Sequence, residues 1–366
     1  MGYRIQDVIS YLERLAPPAY QEGYDNATLI CGDRKEGLKG VVCTLDCTEA
    51  VVDEAIQLGA NLIVAHHPIV FKGLKSLTGR NYVERTVIKA IKNDIAIFAI
   101  HTNLDHVALG VNKRICERLG LTHTKILQPK KQVLSKLDFF VPVEKKGEVL
   151  DAVFAAGAGQ IGEYKDCSFQ LEGMGTFTPS DNAKPYSGKP GTPQFEKEIR
   201  IEVILPTYLS NKVISAMKKA HPYEEVAYYL ISLENENQEV GAGMIGTMPK
   251  PMDSGEFLDY LKEKMNLRII KHTTMISGKI TKVAVCGGAG VFLLPDAKRA
   301  GADVFVTSDV KYHEFFDAED QLILCDIGHY ESEIFTKELL GELLSQNFPN
   351  IAVYLTKVVT NPTSYR

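Results

Sequence analysis

The sequence contains no apolar run long enough to cross a membrane. Its longest hydrophobic stretches, such as GVVCTL and NLIVA, have the length of single strands, far short of the ~20 residues that a spanning helix needs. A secretory leader is not expected, because the opening MGYRIQDVISYLERL threads charges through its apolar positions and reads as an amphipathic helix. Seven cysteines run from Cys31 to Cys325, an odd number without a CxxC pair, and make no disulfide framework. Positive charge is in short supply as well. The formal net charge is -5 and the pI is near 6.0, and no basic stripe offers the electrostatic footprint of a nucleic-acid partner. These absences leave a cytoplasmic globular protein as the expectation, with neither membrane nor nucleic acid among its partners.

What is present is the composition of a chain that buries real cores, 45% hydrophobic and 24% charged. At 366 residues it has room for two or three domains of ~100–200 residues each. Ile5, Val8, Ile9, Leu12 and Leu15 fall on one helical face, and Pro17–Pro18 end that helix. From about Gly40 the pattern alternates: GVVCTL as a buried strand, TEAVVDEAIQLG as a helix, NLIVA as a strand, then IKNDIAIFAI as a helix end and a third strand. Such alternation predicts βαβ units and a largely parallel sheet.

Between roughly Leu127 and Glu239 the texture changes. LDFFVPV, a helix through EVLDAVFAAG, CSFQLEG and GTFTP precede the polar loop SDNAKPYSGKPGTPQFEKE. IRIEVILP, the helix LSNKVISAMKKA and VAYYLISLE follow it. The order βαββαβ predicts a ferredoxin-like insert, with ENENQE as its exit linker. After it VAVC, a helix through LPDAKRAG, DVFV and LILC return to the first texture. The flanking segments also align with each other without a gap. EAIQLGANLIVAHHPI lies on DAKRAGADVFVTSDVK, so that Gly59–Ala60 matches Gly301–Ala302 and His66–His67 falls on Ser308–Asp309. The expected architecture is a duplicated α/β core with mostly parallel sheets, residues 1–126 and 240–366, interrupted by the insert at 127–239.

Three short segments gather the candidate chemistry, each just past the C-terminal end of an expected strand. They are NLIVA-His66-His67-Pro68, IAIFAI-His101-Thr102-Asn103-Leu104-Asp105-His106, and LILC-Asp326-Ile327-Gly328-His329 continuing to Glu333. Binding sites of open α/β sheets collect at these ends. Adjacent His66 and His67 cannot easily aim both rings at one ion, but each can serve one of two neighbouring ions. His329 and Glu333, four apart, share a helical face, and Asp105 adds an oxygen ligand. Imidazole with carboxylate suits zinc, iron, manganese or cobalt. The five residues are therefore expected to hold two divalent metal ions.

Other residues carry weaker signals. His101 and His106 read either as groups that orient the ligands or as satisfied loop residues, the latter favoured for His106. Asp46 reads as a pocket residue or a helix cap. Asp309 and His313 in TSDVKYHE are candidates for acid/base catalysis or substrate contact. Cys286-Gly287-Gly288-Ala289-Gly290 lacks the Gly-Lys-Ser/Thr of a phosphate-binding P-loop, and a tight left-handed turn better explains its glycines. His221-Pro222-Tyr223-Glu224-Glu225 is not read as a ligand set.

IVAHHP, HTNLD, TSD…YH and DIGHYESE together resemble the signatures of the Nif-three-like dinuclear-metal family, whose members are often labelled GTP cyclohydrolase type-two homologues. The resemblance covers both flanking segments, and longer bacterial members carry an insert similar to the PII and CutA proteins. It departs at Ser308, where many members have glycine. It implies that His67 and Asp105 hold one ion, His66 and His329 the other, and that Glu333 bridges them. It further implies a toroidal homohexamer whose openings the insert caps. Two functions follow as expectations: a metal-dependent hydrolase acting on a small molecule, or a non-enzymatic metal carrier or metal/metabolite sensor.

Overall fold

Residues 2–366 are described by a computed structural model, and among them fifteen strands occur. In chain order they open with β1 (Leu29–Cys31), β2 (Gly40–Thr44), β3 (Leu62–Ala65), β4 (Ala96–Ala99) and β5 (Thr122–Lys130). Next come β6 (Leu134–Pro142), β7 (Phe169–Phe177), β8 (Gln194–Pro206) and β9 (Tyr228–Leu233). The last are β10 (Asn237–Asp253), β11 (Lys271–His272), β12 (Lys279–Val285), β13 (Val304–Thr307), β14 (Ile323–Asp326) and β15 (Ala352–Leu355). The chain divides into two compact units, Met1–Pro129 with Val240–Arg366, and Lys130–Glu239. No helix among the described residues is long and apolar enough to cross a membrane.

The first unit is a mixed α/β structure with two sheets. One has the order β1-β4-β3-β2-β15, the other β11-β14-β13-β12-β10-β5. Strands β2, β3, β4, β13 and β14 are buried at every position. That is why they read as near-continuous apolar runs: strands of a parallel sheet covered on both faces have no polar side to show. In the five-stranded sheet only β1 runs antiparallel to its neighbour. In the six-stranded sheet β12, β13 and β14 are parallel, but β10 and β11 pair antiparallel at either side of them. The expectation of mostly parallel sheets therefore describes the first sheet and only the inner three strands of the second.

Within this unit the two aligned segments follow the same course. Helix Glu49–Leu58, N-capped by the Thr48 hydroxyl, ends at Gly59 with φ 68°. Helix Leu294–Arg299 runs into Gly301 with φ 72°. Asn61 Oδ1 accepts the Lys39 N–H at 2.8 Å, and Asp303 Oδ2 accepts the Thr281 N–H at 2.7 Å. Each side chain thus ties the start of the neighbouring strand. The Asn61 and Asp303 carbonyls in turn each accept an amide of the next strand, from Ala96 and Ile323, both at 2.9 Å.

The second unit has the element order β6, helix Lys146–Ala155, β7, β8, helix Ser210–Ala220, β9. Its four strands form one antiparallel sheet, order β7-β8-β6-β9. CSFQLEG and GTFTP merge into the single strand β7. Strand alternation explains the core: Leu137, Phe139 and Val141 with Ile201, Val203 and Leu205 face Val149, Val153, Val213 and Met217 of the helices. The positions between them, including Lys136, Asp138, Arg200 and Glu202, form an ion-pair network instead.

Candidate metal centre

All the loops that carry candidate residues leave the C-terminal ends of parallel strands in the first unit. Asp46 follows β2, His66 and His67 follow β3, and the segment His101–Asp105 follows β4. From the other sheet, Gly287–Gly288 follow β12, Asp309 follows β13, and His329–Glu333 follow β14. They line, or lie behind, one cavity of about 1350 Å³.

Four of the histidines there share one device: each commits its Nδ1 to an oxygen. His66 Nδ1–H donates to the Ile100 carbonyl at 2.9 Å. His67 Nδ1–H donates to Asp46 Oδ1 at 2.7 Å, His329 to Asp309 Oδ2 at 2.6 Å, and His101 to Asp25 Oδ1 at 2.8 Å. A carbonyl can only accept, so His66 must present an unprotonated Nε2 when neutral, and burial holds it so by lowering its pKa to about 3. This is how metal-binding imidazoles are oriented, with the outer nitrogen fixed and the inner one free to bind.

The inner nitrogens converge on two carboxylates. His66 Nε2 lies 3.5 Å from Asp105 Oδ1 and 4.0 Å from Glu333 Oε2. His67 Nε2 lies 2.9 Å from Glu333 Oε2, and His329 Nε2 3.1 Å from the same oxygen. The Nε2 atoms of His67 and His329 are 3.4 Å apart. His66, Asp105 and Glu333 form one compact donor group, and His67, His329 and Glu333 another, with Glu333 common to both. A third group joins His66 and His67 to His101. These groups join His66 with Asp105 and His67 with His329, whereas the resemblance implies one ion held by His67 with Asp105 and the other by His66 with His329. Asp46 turns His67 toward His329, while the Ile100 carbonyl turns His66 toward Asp105.

Electrostatics couples the members of this cluster. Burial opposes a charge on His67, but its hydrogen bonds to Asp46 and Glu333 prevail and lift its pKa to about 10. The bond to Glu333 leads in raising His329 to about 9. Burial would raise Glu333 too, yet His329 and His67 hold its carboxyl well below the usual range. Asp105 goes the other way, pushed well up by burial and then by the nearby Glu333 charge. Two buried atoms, His66 Nε2 and Asp105 Oδ1, have no hydrogen-bond partner. Orphaned buried polar atoms are rare and call for an explanation. A cation between them satisfies both, so the His and carboxylate donor set fits divalent metal.

The remaining residues fall into place around it. Asp46 belongs to the site, since Thr48 caps the following helix. Asp309 holds His329, with its own backbone in the left-handed region at φ 55°. His313 is not brought to the cavity: it is exposed on the 3-10 helix Tyr312–Ala318, between the rings of Tyr312 and Phe316. His106 Nδ1–H donates to the Tyr20 carbonyl. At Gly288, φ 63°, a Cβ would come 2.5 Å from Glu333 Oε1, so glycine is required for close approach as well as for the turn. His221 lies in the second unit and donates to the Phe140 carbonyl.

Sequence reasoning missed Asp25, whose carboxylate is fully buried and held at about 2 despite burial by His101 and Thr102. It also missed Ser332, which accepts the Gly288 N–H, and the wall formed by Thr360–Thr363 and Tyr365. Asn-rich or Thr-rich loops carry no local mark of such roles.

Known proteins bear on this arrangement. The Duf34/NIF3 (NGG1p interacting factor 3) family matches residues 3–362. A Bacillus subtilis protein named GTP cyclohydrolase 1 type 2 homolog is 38% identical, and one from Halalkalibacterium halodurans 41% identical, each over 98% of both chains. The crystal structure of a Bacillus cereus protein related to NIF3 superposes with a TM-score of 0.87 at 37% identity, covering both chains completely. With the family matched over nearly the whole length and the fold shared with a solved relative, the chain belongs to the Duf34/NIF3 family.

Proposed function

We propose that this chain binds two divalent ions through His66, His67, Asp105, His329 and Glu333 and acts as a metal-dependent hydrolase. The observation that carries this reading is the convergence of three Nδ1-anchored imidazoles and two carboxylates on one cavity, with His66 Nε2 and Asp105 Oδ1 unpartnered. Glu333, common to both donor groups, would serve both ions. Paired divalent ions, once bound, lower the pKa of a shared water and polarise a carbonyl or phosphoryl oxygen. The chain's own residues supply orientation: Asp46 and Asp309 hold His67 and His329, and Gly288 leaves room for Glu333. On this reading Asp309 is a positioning residue, and the acid/base role first considered for His313 has no geometric support.

The name of the relatives supports hydrolysis, and apart from bound ions the cavity walls supply little positive charge, so an anionic group of a substrate would be held by the ions themselves. Among the lining residues the one Lys or Arg is Lys271, and its Nζ already pairs with Asp326 at 2.6 Å. Glu22, Glu331 and the aspartates add negative charge, while Phe71, Tyr82 and Phe292 offer exposed ring surface. A small, partly planar substrate suits such walls. A carrier or sensor is the second reading, favoured by the 40% exposure of His329, which leaves one ligand open to exchange. A screen of metal-reconstituted protein against nucleosides, nucleotides, phosphoesters and amides, with Glu333→Gln as the control, decides between them. Turnover lost in Glu333→Gln supports the hydrolase; tight metal binding without turnover supports the carrier.

Two further proposals rest on the family resemblance. The βαββαβ order and antiparallel sheet of Lys130–Glu239 support reading it as a ferredoxin-like, PII/CutA-like module. A toroidal homohexamer is the proposed assembly. Mass photometry giving six chains per particle supports it, and a monomer or dimer at micromolar concentration excludes it.

A further inference from the structure

The segment that follows β15 has no regular structure, yet it is tied at every few residues. The Thr356 N–H extends the pairing to β2 through the Cys43 carbonyl at 3.0 Å, and the Lys357 N–H donates to Glu54 at 2.9 Å. Farther on, the Thr360 hydroxyl donates to Asp46 Oδ2 at 2.7 Å. Asn361 Nδ2 donates to Glu331 Oε1 at 3.0 Å, and Tyr365 hydrogen-bonds the same carboxylate.

These two anchors lie on different sheets. Asp46 leaves β2 of the five-stranded sheet and, through its other oxygen, holds His67. Glu331 belongs to the short helix His329–Glu333, which leaves β14 of the six-stranded sheet and carries the partner imidazole. His67 and His329 meet across this divide at 3.4 Å. We propose that residues 360–365 are a clasp that fixes the spacing of the two half-sites, with Thr360 and Asn361 as positioning residues for the metal pair. The hydroxyl of Thr360 stops Asp46 from rotating away from His67, and Asn361 with Tyr365 keeps the helix of His329 against it. Partners one shell out from a metal ligand change metal affinity by ~10–100-fold when removed. Thr360 acts one step farther away, so the lower end of that range is expected.

The proposal rests on the metal reading of the site, and the experiment separates the two. Full-length protein is loaded with manganese or zinc, and release is followed by competition with a chromophoric chelator. Thr360→Val combined with Asn361→Leu is expected to release metal about tenfold faster than wild type, and Thr360→Ser alone to stay near wild type. Melting of the metal-free proteins should be unchanged between variants. Wild-type release in the double variant overturns the clasp. So does a Thr360→Ser variant as fast as the double variant, or a fall in metal-free melting that accounts for the change. Wild-type protein that takes up no ion refutes the metal reading instead. Hydrogen exchange on metal-free protein then judges the clasp alone: the amides of His67 and Gly328 should exchange faster in the double variant, and unchanged exchange overturns it.

Discussion

The two aligned halves of the first unit use the same scaffold to opposite chemical ends. Both run strand, helix, left-handed glycine, strand, and both tie the start of the preceding strand with the side chain at Asn61 or Asp303. At the next strand end they diverge. One half presents His66 and His67, whose Nε2 atoms face Asp105 and Glu333; the other presents Ser308 and Asp309. Ser308 donates inward to the Gly288 carbonyl at 2.6 Å, and Asp309 orients His329. In the proposed function the equivalent positions of one half bind metal, and one in the other half holds a binder. The scaffold keeps its strand-end geometry while the residues placed there decide what each end does, which is why function must be argued from the site and not from the fold.

The largest way to break this division of labour is to remove the residue both donor groups share. Glu333→Ala is expected to leave less than a tenth of the metal bound by wild type, a loss of at least ~1.4 kcal/mol in binding. Elemental analysis of the purified variant checks it, and metal content reduced by only half would mean that Glu333 serves one ion. Next in size are the two carboxylates that hold imidazoles from opposite halves. Asp46→Ala and Asp309→Ala should each weaken metal binding by ~10–100-fold, as lost orienting partners do. Titration calorimetry on each variant measures this. A deficit for Asp46→Ala without one for Asp309→Ala would show that Asp309 does not position His329.

An effect on stability, not on affinity, tests the metal as a staple between the sheets. Ions bound only by the native state add RT ln(1 + [L]/Kd), about 2.7 kcal/mol at a hundredfold excess over Kd. Treatment with a chelator should therefore lower the melting temperature of the first unit, and manganese, zinc or iron should restore it. Scanning calorimetry in which the chelator moves no transition would contradict ligands drawn from both sheets.

How much of this could be read from the chain depends on how far each residue's partners lie along it. β2, β3, β4, β13 and β14 were legible because a strand buried on both faces is apolar almost throughout. The five candidate ligands stood out because imidazoles and carboxylates followed those strands directly. The three-residue edge strand β1 and the long strand β10 were not legible. β10 begins at Asn237, inside ENENQE, where a linker was expected, and its antiparallel pairing with β12 comes from partners outside its own pattern. Asp25 and Thr360 reach the site from 76 and 314 residues away along the chain. No local signal marks either one. His313 shows the reverse case, near in sequence and apart in space. It is four residues from Asp309, but the left-handed turn there and the following 3-10 helix carry it to the surface.

The smallest effect asks whether the shared scaffold is energetically shared. Gly59 and Gly301 close equivalent helices at φ 68° and 72°. A Cβ at Gly59 would meet nothing within 4 Å, and one at Gly301 only the end of Lys282 at 3.9 Å. Space is therefore not the issue at either position; the cost of alanine is the left-handed backbone itself, ~1–2 kcal/mol per residue. Gly59→Ala and Gly301→Ala should each destabilise the first unit by about that amount, and by the same amount within experimental error, while leaving metal stoichiometry alone. Gly288→Ala supplies the contrast, since there the added methyl would strike Glu333 and metal should be lost along with stability. Denaturant unfolding of the metal-free proteins measures the pair. If Gly301→Ala costs nothing while Gly59→Ala costs the full amount, the second helix end relaxes where the first does not. The two halves would then match in course but not in mechanics.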